Sequence, residues 1–129
     1  MKQEKIIESI ASAINHLEDY MKTLAKKDEK SLVNLVWRAG ADLEYALFLL
    51  SFMHQNQSES SSWKIDSYSK QVEISSTLSF VQDLLREAKD NMEAGELLDA
   101  HKKTWMARGY LLRVHDTFEK KRKEQRRVK

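Results

Sequence analysis

The sequence contains no proline and no cysteine, and only three of its 129 residues are glycine: Gly40, Gly95 and Gly109. Average usage is about 5% proline and 7% glycine, so the residues that build turns, bulges and hairpins are nearly missing. Without cysteine there can be no disulfide, no thiolate metal site and no cysteine nucleophile. Long apolar runs are missing too. The longest, Tyr45 to Met53, is too short to cross a bilayer, and Asp42 and Glu44 stand just before it. The opening MKQEKIIESI carries charges throughout and lacks the apolar stretch of a secretory signal. A cytoplasmic protein with no membrane association is the expectation.

What is present is an apolar repeat that steps by three and four. Ile7, Ile10, Ile14, Leu17, Met21 and Leu24 keep that step, as do Leu32, Val36, Ala39, Leu43, Ala46, Leu50 and Met53. Such spacing puts apolar groups along one face of a helix. The pattern predicts helix 1 from about Gln3 to Lys26 and helix 2 from the following charged turn to about His54. Helix 3 is predicted from near Asp66 or Ser67 through Met92, and helix 4 from about Glu96 into a basic tail, with Gly95 as the break between them. Four segments of similar length predict an all-α, up-down-up-down left-handed four-helix bundle over residues 1–118. The connection at about 55–66 includes QNQSESSS and Trp63. It is longer than antiparallel neighbours require.

Helix 2 carries a second apolar stripe, Trp37, Ala41, Tyr45, Phe48 and Phe52, well over 90° round the helix from Leu43. Exposed, this would be a larger apolar patch than soluble monomers carry. It is the expected interface of a homodimer, with the 55–66 connection and Trp63 as the alternative cover.

On helix 4, His101, Arg108 and His115 stand seven apart and form one line. Leu98, Trp105 and Leu112 flank that line on one side, and Ala100, Ala107, Leu111 and Phe118 on the other. Three readings follow. The line is a buried polar seam that fixes register, with Asp42 as the counter-charge of Arg108; or it is a ligand or catalytic seam; or helix 4 is rotated so that the line is partly exposed. A buried arginine without a carboxylate costs several kcal/mol, so the first reading depends on Asp42.

Arg108-Gly-Tyr-Leu-Leu-Arg-Val-His115 resembles the arginine, four-to-six residues, histidine pattern of the HEPN domains, helical bundles that often dimerise. Many of these are metal-independent ribonucleases in which the arginine and histidine of two chains meet at the dimer interface. The resemblance implies that Arg108 binds the scissile phosphate and that His115 is a general acid or base. Over its whole length, in segment order and apolar pattern, the chain resembles small four-helix-bundle proteins of thermophilic archaea. That likeness implies a long bundle and no particular activity.

Other chemistry lacks its residues. Carboxylate-bridged metal bundles need glutamate three residues before histidine; Ala13, Ser51, Leu98 and Leu112 occupy those places. There is no phosphate-binding glycine loop and no zinc-protease helix, so neither a metal nor a cofactor is expected. From Glu119 to Lys129 the chain has seven basic and two acidic residues, against fifteen basic and eighteen acidic before it. Lys120, Lys121, Arg122, Lys123, Arg126 and Arg127 in this tail (119–129) are candidates for contacting nucleic-acid phosphates. The leading expectation is a non-enzymatic interaction or regulatory module. The alternatives are an HEPN-like RNA-cleaving or nucleotide-binding protein and an electrostatic nucleic-acid binder.

Overall fold

A computed structural model describes residues 2–24, 29–53 and 73–127, apart from the side chains of residues 2, 29, 122 and 124–127. They form four helices, α1 (Lys2–Thr23), α2 (Glu29–Met53), α3 (Ile74–Glu93) and α4 (Leu97–Arg127). The all-α four-helix bundle is the fold that the apolar repeat predicts. Trp63 and the expected loop at 55–66 lie outside the described residues.

α1 packs on α2 and α3, and α4 packs on the same two, so α1 faces α4 across one diagonal and α2 faces α3 across the other. At one end, Gln3 near the start of α1 donates from Nε2 to the Met92 carbonyl near the end of α3, at 2.8 Å. At the other end, burial and, to a lesser degree, the Glu73 carboxylate raise the pKa of the Tyr20 phenol. α1 and α3 are therefore antiparallel. Every helix runs opposite to both its neighbours, as a bundle of alternating direction requires. The chain visits them in a different order from the sequential one expected: α2 and α3 run the same way on a diagonal. Met53 and Glu73 consequently sit at opposite ends of the bundle, which is why the connection between them is longer than an antiparallel hairpin needs. A single long crossover of this kind is a known bundle connectivity.

α3 starts at Ile74, later than Asp66 or Ser67. Glu73 has extended backbone (φ −76°, ψ 115°) and its carboxylate accepts from the Ser76 amide, so it caps the first turn. At the other end Gly95 takes φ +79°, and the amides of Gly95 and Glu96 donate to the carbonyls of Met92 and Asn91. That is the glycine-terminated helix end that the sequence signals.

The core follows the expected faces of α2 and α3, with Leu43, Ala46 and Leu50 in the same buried cluster as Leu78, Val81, Leu85 and Met92. On α1 the buried face is turned toward Ile6, Ala13 and Tyr20, leaving Leu24 exposed. α4 is turned further. Its buried line is Ala100, Thr104, Ala107, Leu111, Val114 and Phe118, a regular four-three repeat. Thr104 and Thr117 enter the core because each hydroxyl donates to the carbonyl four residues back, at 2.8 and 2.9 Å, so neither buries an unsatisfied polar group. α4 runs helical to Arg127, so the helix extends into the basic segment as expected.

Candidate functional site at the groove between α2 and α4

The rotation of α4 decides where the predicted polar line falls. His101 is buried, but Arg108 and His115 come to the edge of the core, where α4 meets α2. There they line a groove of about 390 Å³ with Val36, Trp37, Gly40, Ala41, Glu44 and Leu112. Gly40 gives the groove depth, since a Cβ built at that position meets nothing within 4 Å.

Arg108 does not pair with Asp42. Its Nη1 donates to Glu44 Oε1 at 2.8 Å, with the arginine side chain 30% exposed and the glutamate 59% exposed. Asp42 points the other way, and its Oδ2 lies 2.8 Å from Nδ1 of His16 on α1. Two positions along a helix differ by about 200°, so Asp42 and Glu44 face different neighbours. His16 thus belongs to the α1–α2 contact and not to an outer, solvated face. The buried seam centred on Arg108 and Asp42 is absent. The guanidinium Nε is buried with no hydrogen-bond partner among the described residues.

Beside the arginine, the His115 imidazole and the Trp37 indole lie with ring centroids 5.5 Å apart, tilted by 46°. The groove therefore offers a cation fixed by a carboxylate, an imidazole on an aromatic wall, and an apolar floor of Val36 and Leu111. Imidazole can exchange protons near neutral pH, and a guanidinium presents paired donors to a phosphate or carboxylate.

Trp37 and Ala41 also belong to the outer stripe of α2. Trp37, Tyr45, Phe48 and Phe52 are 62, 46, 57 and 44% exposed, with Ala41 exposed between them. The Phe48 and Phe52 rings meet edge to face at 4.9 Å and project as one unit. Leu112 on α4, 51% exposed, extends the apolar surface past the groove. Sequence spacing found the stripe, but it missed Glu44, Gly40 and Leu112 as parts of the same site.

At the far end of α4, Lys120, Lys121 and Lys123 are exposed. The side chains of Arg122, Arg126 and Arg127 lie outside the described residues. Among the described residues no group of three histidines and carboxylates is placed to hold a metal ion, and no helix is long and apolar enough to cross a membrane. In comparison with known proteins, no family model, no curated protein and no solved structure matches this chain.

Proposed function

We propose that the protein is a homodimeric helical-bundle interaction module, joined through the outer stripe of α2. The observation that carries this reading is the run of four half-exposed aromatics from Trp37 to Phe52. Side chains of this kind bury ~150–250 Å² each when fully covered, so the stripe leaves on the order of 400 Å² of aromatic surface in water. A patch of that order matches the largest apolar patch of a typical monomer, which is often its functional surface. Light scattering over a concentration series tests the reading. A mass of twice 15.1 kDa supports it, and a monomer at every concentration ends it.

A second reading is favoured by one specific observation: Arg108 and His115 share an open groove instead of a buried seam. In this reading the groove takes a phosphate-bearing ligand, and the HEPN-like roles fall to Arg108 as phosphate binder and His115 as acid or base. Its test is RNA cleavage by the unmodified protein that both Arg108→Ala and His115→Ala abolish without loss of fold. No cleavage of single-stranded or structured RNA by the unmodified protein removes it.

A further inference from the structure

α4 runs further than the helices beside it. Phe80 meets Tyr110 and Glu87 meets Lys103 across α3 and α4, a step of seven on each helix. Trp37 meets His115 and Glu44 meets Arg108 across α2 and α4, again a step of seven on each. One further step of the same length brings Glu73 level with Thr117 and Lys30 level with Arg122. Lys121, one turn on from Thr117, attracts the Glu73 carboxylate, in agreement with that register. Residues 118–127 therefore carry α4 about 15 Å past the cap of α3, and the last five of them about 7.5 Å past Lys30.

Charge sorts with this geometry. Lys22 in the last turn of α1, Lys30 in the first turn of α2, and Lys120, Lys121 and Lys123 are exposed at this end. Among residues 120–127 six are basic and one is acidic. At the opposite end, around the Gly95 turn, Asp90, Glu93, Glu96 and Asp99 are exposed. A polyanion is thus drawn to one end of the bundle and repelled from the other. The fold does not call for this excess of cations. A helix C-terminus carries about half a negative charge, which one cation offsets. Arg122 with Arg126, and Lys123 with Arg127, are like charges four residues apart, a spacing that weakens a helix. We infer that the basic end of α4, flanked by Lys30 and Lys22, is a docking surface for the phosphates of B-form duplex DNA.

The choice of partner follows from how the charges are spread. Successive residues turn by about 100°, so positions 120, 121, 122, 123, 126 and 127, all basic, are distributed round the whole helix. No apolar residue lies between Glu119 and Arg127, so there is no face to sink into lipid, as a membrane-surface helix requires. No aromatic lies there either, so the bases of a single strand find nothing to stack on. A helix charged all round fits between two rows of phosphates. The major groove of B-form DNA is ~12 Å wide and admits a helix. The major groove of an RNA duplex is deep and too narrow for one. This inference uses neither the aromatic stripe of α2 nor Arg108, and it holds for one copy of the chain or two.

Fluorescence anisotropy of a short labelled DNA duplex, titrated with the full chain over a salt series, tests the inference. An RNA duplex of the same sequence, poly-glutamate and phosphatidylserine vesicles serve as rival partners. The expected result is tightest binding to the DNA duplex, with a slope of log affinity against log salt of about −5, that of five or six neutralised phosphates. The double variant Arg126→Gln/Arg127→Gln should reduce that slope by about 2 and weaken binding about tenfold or more near 0.1 M salt. Lys22→Gln/Lys30→Gln should weaken it less, and both variants should keep the helical circular dichroism of the unmodified chain. Absence of DNA binding at low salt overturns the inference. So does an RNA duplex, poly-glutamate or vesicle that binds as tightly as DNA, or DNA binding that Arg126→Gln/Arg127→Gln leaves unchanged.

Discussion

Arg108 reaches from α4 to Glu44 on α2 and closes a 2.8 Å ion pair on the wall of an open groove. Because the carboxylate is mostly in water, the pair contributes no more than about 1 kcal/mol. Arg108→Ala is therefore expected to lower stability by less than about 1 kcal/mol, with a small further loss from the packing of its aliphatic stem. Urea unfolding of Arg108→Ala, Glu44→Gln and the double variant gives the coupling directly. A loss of about 3–5 kcal/mol for the single arginine variant is the signature of a broken buried pair and contradicts the placement described here.

Gly40 sits inside α2 with free space where its side chain would be. Replacing it with alanine removes the entropic cost of glycine in a helix and meets no atom, so Gly40→Ala is expected to stabilise the protein by about 0.5–1 kcal/mol. The same methyl group makes the groove shallower. Thermal unfolding checks the first effect. A destabilised Gly40→Ala variant indicates that something in solution already occupies the space.

How much of this was legible beforehand differs from element to element. The faces of α2 and α3 follow directly from apolar spacing, and so does the aromatic stripe, because bulky rings at steps of three and four are visible in any helical projection. Chain order was not legible. Short joins between α1 and α2 and between α3 and α4 fit either connectivity, and only the length of the segment around 55–66 hinted at the diagonal step. The rotation of α4 was hidden by chemistry: Thr104 and Thr117 read as polar, but each satisfies its hydroxyl within the helix and packs as a core residue. That turn moved Arg108 and His115 from the middle of the buried face to its edge. It also exchanged Asp42 for Glu44 as the arginine's partner, a choice that depends on helix rotation and not on composition.

Glu73 caps α3, and its pKa is lowered from the ordinary 4.5 first by the hydrogen bond from the Ser76 side chain and then by that from the Ser76 amide, with the Ser75 amide and Lys121 adding smaller contributions. A lowered folded-state pKa means stability that is present above the unfolded value and lost as pH falls through the folded one. Glu73→Ala is expected to melt at a lower temperature than the unmodified protein at pH 7. The gap should stay constant down to about pH 5 and close as the pH drops below the ordinary glutamate range. A gap that persists unchanged at pH 2–3 contradicts the capping role.

Lys120, Lys121 and Lys123 are exposed, while Thr117 and Phe118 just before them are buried. Ending the chain after Phe118 is accordingly expected to leave the bundle folded, with a melting temperature within a few degrees of the full chain. Affinity for a polyanion such as heparin or duplex DNA is expected to reside in the removed segment and to fall steeply with salt. Unchanged binding after truncation places the anion site elsewhere, with Arg108 as the next position to vary.

The claim on which the rest depends is that α2 carries a self-association face. Sedimentation equilibrium of the full chain beside Phe48→Glu tests it most directly. A glutamate placed in an apolar contact is left buried and unpaired, which costs several kcal/mol of association energy, whereas on an exposed monomer surface the same change is nearly neutral. The expected result is a mass of twice 15.1 kDa for the unmodified chain and 15.1 kDa for Phe48→Glu, with the same helical circular dichroism for both. A monomeric unmodified chain at its highest soluble concentration, or a Phe48→Glu variant that remains dimeric, contradicts it.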